Sequence, residues 1–338
     1  MKTRLFTLIQ LFFVVASLVA FGGSDSDARK NQVVIYTYDS FISEWGPAPQ
    51  LEQLFEKETG MDLVFIDSGD GGQILSRVVL EKEAPQADIV IGIDNNQIKK
   101  ARQANVFEPY KPVNAESVIG ENLLLTEDYL LTPYDWSYFA MIYDTHSTVP
   151  APSSLSELTK DIYRKKIILM DPRTSTPGMG FVAWTVAAFG EKYLDFWQEL
   201  KPNILTMAPS WSTGYGLFTS GEAPLVISYT TSPAYHVEYN EGNRFQAIMF
   251  DQGHPLQIEG VALVKNAANP EGAKKFIDFL VSQEGQDILP LTQWMYPVNP
   301  KVELPASYEA APLAKKALVV DNEVLSDAVK AIMELLSE

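Results

Sequence analysis

The sequence predicts an α/β protein: two Rossmann-like lobes with a ligand cleft between them. Three observations carry this. Strand and helix signals alternate from Asn31 onward, the alternation restarts after an apolar run at Tyr138–Tyr143, and two late apolar runs can return the chain to the first lobe.

The elements follow in order. Val33-Val34-Ile35-Tyr36-Thr37 is a buried-strand run. Pro47 to Thr59 carries Leu51, Leu54 and Phe55 at helical spacing and stops at Gly60. Asp62 to Ile66 reads as a strand and Gly69-Asp70-Gly71-Gly72 as a turn. Ile74, Leu75, Val78 and Val79 mark a second helix, and Ala87 to Gly92 a third strand ending in Asp94-Asn95-Asn96. This β-α-β-α-β rhythm indicates a parallel sheet. Beyond the crossing strand come a capping box at Ser154-Leu155-Ser156-Glu157, a strand at Lys166–Met170 and a loop at Asp171–Gly178. Helices around Met179–Ala188 and Tyr193–Leu200 precede a short helix after Trp211 and the strand Leu225–Tyr229. Phe245–Phe250 and Ile258–Val264 are the returning strands, and Asn269-Pro270-Glu271-Gly272 opens a helix with Phe276, Ile277, Phe279 and Leu280 on one face. The expected division is 31–134 plus 256–297 for lobe 1 and 135–255 plus 298–338 for lobe 2. Lobes joined by two or three crossings favour hinge closure.

Residues 1–23 read as an export signal: Lys2 and Arg4, an apolar run from Leu5 to Phe21, then Gly22, Gly23 and Ser24. The run is marginal for a membrane span, and Asp25 and Asp27 follow it rather than a basic cluster. Ala20-Phe21-Gly22-Gly23-Ser24 has the form of a lipoprotein signal with serine where the acylated cysteine would stand. The expected location is the periplasm, as a lipoprotein only if Ser24 replaces a cysteine. With no cysteine in the chain there is no disulfide, thiol nucleophile or Cys-based zinc site. Losing Lys2 and Arg4 with the signal moves the net charge from −17 to −19. That argues against a nucleic-acid role and is compatible with a small cationic ligand.

Ser228-Tyr229-Thr230-Thr231-Ser232-Pro233, with Ala234-Tyr235-His236 after it, breaks into hydroxyls and aromatic rings where a strand would feed a helix. Parallel α/β sheets place ligand sites at such strand ends. Two tyrosines there suit a planar cation, or else they are half-buried packing residues.

At this point the motifs resemble those of the periplasmic thiamine-binding proteins of bacterial ABC importers. The resemblance rests on Tyr36-Thr37-Tyr38-Asp39-Ser40-Phe41, Trp45-Gly46-Pro47, Asp70-Gly71, Gly92-Ile93-Asp94-Asn95-Asn96 and Asp171-Pro172-Arg173-Thr174-Ser175-Thr176-Pro177-Gly178. Trp211-Ser212 with Tyr215-Gly216-Leu217-Phe218, the Ser228–His236 stretch and Trp294-Met295-Tyr296-Pro297-Val298 complete it. It implies a type II periplasmic-binding-protein fold, thiamine or its mono- or diphosphate as ligand, no cofactor, and a membrane permease with a cytoplasmic ATPase as partners of a monomer. It also implies a pocket built from Tyr38, Asp70, Gly71, Ser175, Trp211, Tyr229, Tyr235 and Trp294. Gly72 and the Pro209-Ser210 region depart from the family pattern.

Aromatic faces at Tyr235, Trp294 and Trp211 can sandwich the ligand rings, each cation–π contact contributing about 0.5–2 kcal/mol. Asp70 can pair with the thiazolium or accept from the amino group, or it can simply cap the following helix. Thr174, Thr176 and Gly178 lie in a segment that either holds a phosphate at a helix N-terminus or is an ordinary N-cap with proline in the first turn. His146, His236 and His254 lack metal-ligand spacing, so no metal is expected. The alternatives are a ferric-iron or polyamine binder of the same fold, or an enzyme acting on thiamine, against which the missing cysteine argues.

Overall fold

The computed structural model of the chain describes Arg29 and residues 31–338; the export segment expected at 1–23 lies outside the described residues. The strands are β1 (Gln32–Thr37), β2 (Asp62–Asp67), β3 (Ile89–Asp94), β4 (Phe107–Glu108), β5 (Thr132–Asp144) and β6 (Ile167–Met170). They continue with β7 (Ile204–Ala208), β8 (Leu225–Tyr229), β9 (Phe245–Ile248), β10 (His254–Val264), β11 (Tyr296–Pro297) and β12 (Ala317–Leu318). Their main order across the sheet is β2-β1-β3-β10-β5-β8-β6-β7.

The pairing explains the two lobes. β1 lies parallel to β2 and β3, and β6 lies parallel to β7 and β8, so each end of the sheet is a parallel unit. Between them run the long strands β5 and β10, antiparallel to each other and to their outer neighbours. β5 changes partner along its length: Thr132–Tyr138 pairs with β10, and Phe139–Tyr143 with β8. It is therefore a crossing strand, longer than the expected Tyr138–Tyr143 run. One apolar core gathers β1–β3 with Phe41, Phe55 and Phe276; another gathers β6 and β8 with Phe181, Trp184 and Trp197.

Local chemistry sets the helix ends that frame the cleft. The helix Ala48–Thr59 stops at Gly60, whose φ of +68° lets its N–H reach Glu56 O at 2.8 Å. The expected turn at Gly69–Gly72 is instead the start of the helix Gly71–Leu80. Asp70 is its N-cap, and Gln73 returns a contact to the Asp70 N–H at 3.1 Å. The capping box expected at Ser154 does not form. Residues Leu155–Thr159 make only a 3-10 turn, too short to need one, and the Ser154 hydroxyl bonds Ser156 instead. Among the described residues no helix is long and apolar enough to cross a membrane.

Candidate functional cleft

The segments at the carboxyl ends of β1, β2 and β8 converge on a cavity of about 260 Å³ between the lobes. Its lining draws Tyr38 and Asp70 from one lobe and Trp211, Tyr215, Tyr229 and Tyr235 from the other. Glu259 comes from the crossing strand β10, and Gln293, Trp294 and Met295 from the segment after the helix Gln283–Thr292.

The aromatic wall is rigidly held. Trp211 and Tyr215 lie on one turn of the helix Trp211–Thr219 and stack at 5.0 Å with an 18° angle between rings. The Trp211 indole N–H donates to Ser228 Oγ at 2.8 Å. Behind it the Tyr215 hydroxyl bonds His236 Nε2 at 2.8 Å, and His236 Nδ1 bonds Glu241 at 2.7 Å. Burial lowers the His236 pKa, so the neutral imidazole donates from Nδ1 to Glu241 and accepts from Tyr215 at Nε2. Opposite, Tyr235 and Trp294 meet edge to face at 5.3 Å and 89°. Trp294 holds a φ of +58°, a left-handed conformation that a bulky residue adopts only where its surroundings impose it.

The floor is acidic. Among the described residues, the only charged ones in the lining are Asp70 and Glu259, and both are carboxylic acids. Tyr38 and Tyr134 donate their hydroxyls to Glu259 Oε2 at 3.0 and 2.7 Å. Burial pushes Glu259 up to about 8, and Asp94, buried at the end of β3, up to about 6. Burial also raises Asp70, against the Ser175 hydroxyl and the N–H groups of Gly71 and Trp211, which favour its charged form.

Asp70 joins the lobes as well as capping its helix, since the Trp211 N–H donates to its Oδ2 at 3.3 Å. Nearby, the Ser212 hydroxyl reaches Asp39 at 2.7 Å, and the Gly72 N–H reaches Thr174 O at 3.3 Å. A Cβ at Gly72 would stand 2.7 Å from Arg173 O, a backbone atom of the opposite lobe. Gly72 thus departs from the expected motif at a seam that only glycine lets close this far. Gly72→Ala is expected to leave the melting temperature nearly unchanged and to weaken ligand binding roughly tenfold, about 1.4 kcal/mol. A titration beside a thermal melt checks this, and unchanged affinity would show that the seam does not limit closure.

Of the expected pocket residues, Tyr38, Asp70, Trp211, Tyr229, Tyr235 and Trp294 line the cavity. Gly71 does not: it packs where a Cβ would come 2.7 Å from both Gly92 O and Thr176 Oγ1. Ser175 is a buried N-cap behind the lining, its hydroxyl without a well-formed hydrogen bond. Of the expected phosphate residues, Thr176 lines the cavity at the start of the helix Thr176–Phe189, its hydroxyl unpartnered among the described residues. Thr174 and Gly178 do not line it. The Thr174 hydroxyl is committed to Pro209 O at 2.7 Å, and Gly178 packs against β6, where a Cβ would meet Met170 O at 2.4 Å. Sequence reasoning missed Glu259, Gln293, Tyr215 and Ser232.

Two parallel-sheet lobes, two crossing strands and a cleft between them define a solute-binding protein of the type II periplasmic fold. The model of the family described as "Bacterial extracellular solute-binding protein" matches residues 50–316. The chain is 41% identical over 292 residues to the thiamine-binding periplasmic protein of Brucella melitensis biotype 1, covering 86% of each chain. A solved structure titled "Periplasmic thiamin binding protein" is similar at a TM-score of 0.85 and 35% identity, covering 91% of this chain and 96% of that one. A ferric binding protein from Campylobacter jejuni is similar at a TM-score of 0.73 and 18% identity, covering 90% of this chain and 98% of that one, and shows the fold alone. The chain belongs to the bacterial extracellular solute-binding proteins, and the family resemblance read from its motifs holds over most of its length.

Proposed function

We propose that this protein captures thiamine and its phosphate esters in the periplasm and hands them to a membrane permease driven by a cytoplasmic ATPase. It does so as a monomer, by binding rather than catalysis and without a cofactor, closing 31–134 plus 256–297 against 135–255 plus 298–338. The observation that carries this reading is a cavity with aromatic walls and a charged lining that is wholly acidic. Such a site fits a flat, permanently cationic ring system through cation–π and charge pairing. The similarity to thiamine-binding periplasmic proteins supports the same ligand. For an esterified tail, the Thr176 hydroxyl at a helix N-terminus is the available partner. A ferric site needs ionised phenols, and burial together with the carboxylates Glu259, Asp70, Asp94 and Asp135 holds Tyr229 well above its usual range.

The test is a tryptophan-fluorescence titration of protein unfolded and refolded to strip carried-over ligand. Trp211 and Trp294 line the cavity and Trp45 stands at its rim. Saturable quenching by thiamine below micromolar concentration, better than about −8 kcal/mol, is expected. Silence toward thiamine with a response to ferric ion or a polyamine would overturn the ligand and keep the class. Conversion of thiamine over hours would overturn the binding-only reading.

A further inference from the structure

Glu259 and Asp135 are direct cross-strand neighbours on β10 and β5, the two strands that join the lobes. Glu259 is 6% exposed and Asp135 fully buried. Both tyrosine hydroxyls that hold Glu259 fall on Oε2, leaving Oε1 with no hydrogen-bond partner among the described residues. Asp135 has neither carboxyl oxygen in a well-formed hydrogen bond among the described residues. The titratable groups found to act on this pair among the described residues are acids and phenols: Tyr38, Asp70, Asp94, Tyr134, Tyr229 and Tyr308. Two carboxyls so placed, with no cation beside them, cannot both ionise in a low-dielectric site, so the pair retains a proton.

We propose that Glu259 is the specificity-determining residue of the cleft: its carboxylate receives the positive charge of the ligand ring, and the proton it shares with Asp135 in the empty protein leaves to solvent when that charge arrives. This rests on the thiamine reading above. The charges balance, because one carboxyl O–H bond breaks, the proton passes to buffer, and the fixed charge of the thiazolium takes its place. Burial lifts Glu259 to about 8, and burial with Glu259 beside it lifts Asp135, so the empty site is protonated at neutral pH. The sign then follows. The cation competes with a proton, so thiamine affinity rises with pH, by up to about tenfold per unit below pH 8, and levels off above it.

The experiment is isothermal calorimetry on the whole protein at pH 7, in phosphate and in Tris, which differ in ionisation enthalpy. The probes are thiamine and a neutral isostere in which carbon replaces the thiazolium nitrogen. Wild-type protein is expected to release between about half and one proton with thiamine and almost none with the neutral isostere. Glu259→Gln is expected to abolish that release and cut thiamine affinity about a hundredfold, while changing the neutral isostere by less than about threefold. Asp135→Asn should lower the proton release without erasing the preference for the cation. An equal loss for both ligands in Glu259→Gln, or no proton release by wild type, overturns the proposal while leaving thiamine binding intact. Absence of thiamine binding by wild type overturns the functional reading and this proposal with it. If Glu259→Gln does not fold, the wild-type proton release and the pH profile decide alone.

Discussion

Asp70→Ala is expected to cost both stability and affinity, by two separable routes. The carboxylate accepts from its own helix at the Gly71 N–H, 3.1 Å away, and from the opposite lobe at the Trp211 N–H. Loss of an N-cap typically costs about 0.5–2 kcal/mol of stability, which for a chain of this size lowers the melting temperature by a few degrees. Loss of a charge-assisted hydrogen bond across the closing seam costs a further amount, about 1.5–3 kcal/mol, felt only in the closed state. Removing negative charge from the cavity wall weakens attraction for a cation as well. Thiamine affinity should therefore fall about a hundredfold. Asp70→Asn separates the routes, because asparagine is as good an N-cap as aspartate. It should melt within about 1 °C of wild type, because the cap bond itself is retained, and still bind about tenfold more weakly. Calorimetric melts and thiamine titrations on both variants measure this. Affinity within threefold of wild type for Asp70→Ala would mean that Asp70 is a helix cap and nothing more.

On the sequence Asp70 had two readings, helix cap or ligand partner; the structure shows the cap and places the same side chain in the cavity lining, and this shows what a sequence can carry. A cap is a local matter of one side chain and the N–H groups just after it, so Asp70 before Gly71-Gly72-Gln73 was open to inference. That the same carboxylate faces Trp211, 141 positions on, is a fact of topology that no local pattern contains. The strand rhythm was legible for the same reason: β1, β3 and β8 each hold a run of three or more consecutive apolar residues, Val33–Tyr36, Ile89–Ile91 and Leu225–Ile227, because their sheet is covered on both faces. Thr174 and Thr176 stand two apart in one hydroxyl-rich loop, yet one is spent on Pro209 O and the other lines the cavity. Periodicity cannot choose between them before the helix start is fixed. Glu259 did leave a signal. A lone carboxyl inside an apolar returning strand carries a desolvation cost that a purely structural strand has no reason to accept. Read that way, it marks the cleft as clearly as any aromatic motif.

Trp294 offers the sharpest separation of binding from folding. Its φ of +58° places a large side chain where glycine is at ease and other residues pay about 1 kcal/mol or more. The ring returns that cost through Tyr235 at 5.3 Å and Tyr239 at 6.0 Å, and through whatever lies in the cavity it lines. Trp294→Ala removes the ring and keeps the strained backbone; Trp294→Gly removes both. In the empty protein Trp294→Gly should therefore be the more stable of the two by about 1 kcal/mol. Thiamine cannot tell them apart, because neither offers a ring: both should bind about a hundredfold more weakly than wild type. Trp294→Phe, which restores an aromatic face of smaller area, should recover about half of that loss in free energy. Thermal melts of the ligand-free variants and calorimetric titrations with thiamine supply the two axes. Should Trp294→Ala bind thiamine as wild type does, the indole is packing for Tyr235 and Tyr239, and the cation must be held by the remaining rings and Glu259. Should Trp294→Gly be the less stable of the pair, the left-handed backbone carries no strain, and the reason for a tryptophan there lies in its contacts alone.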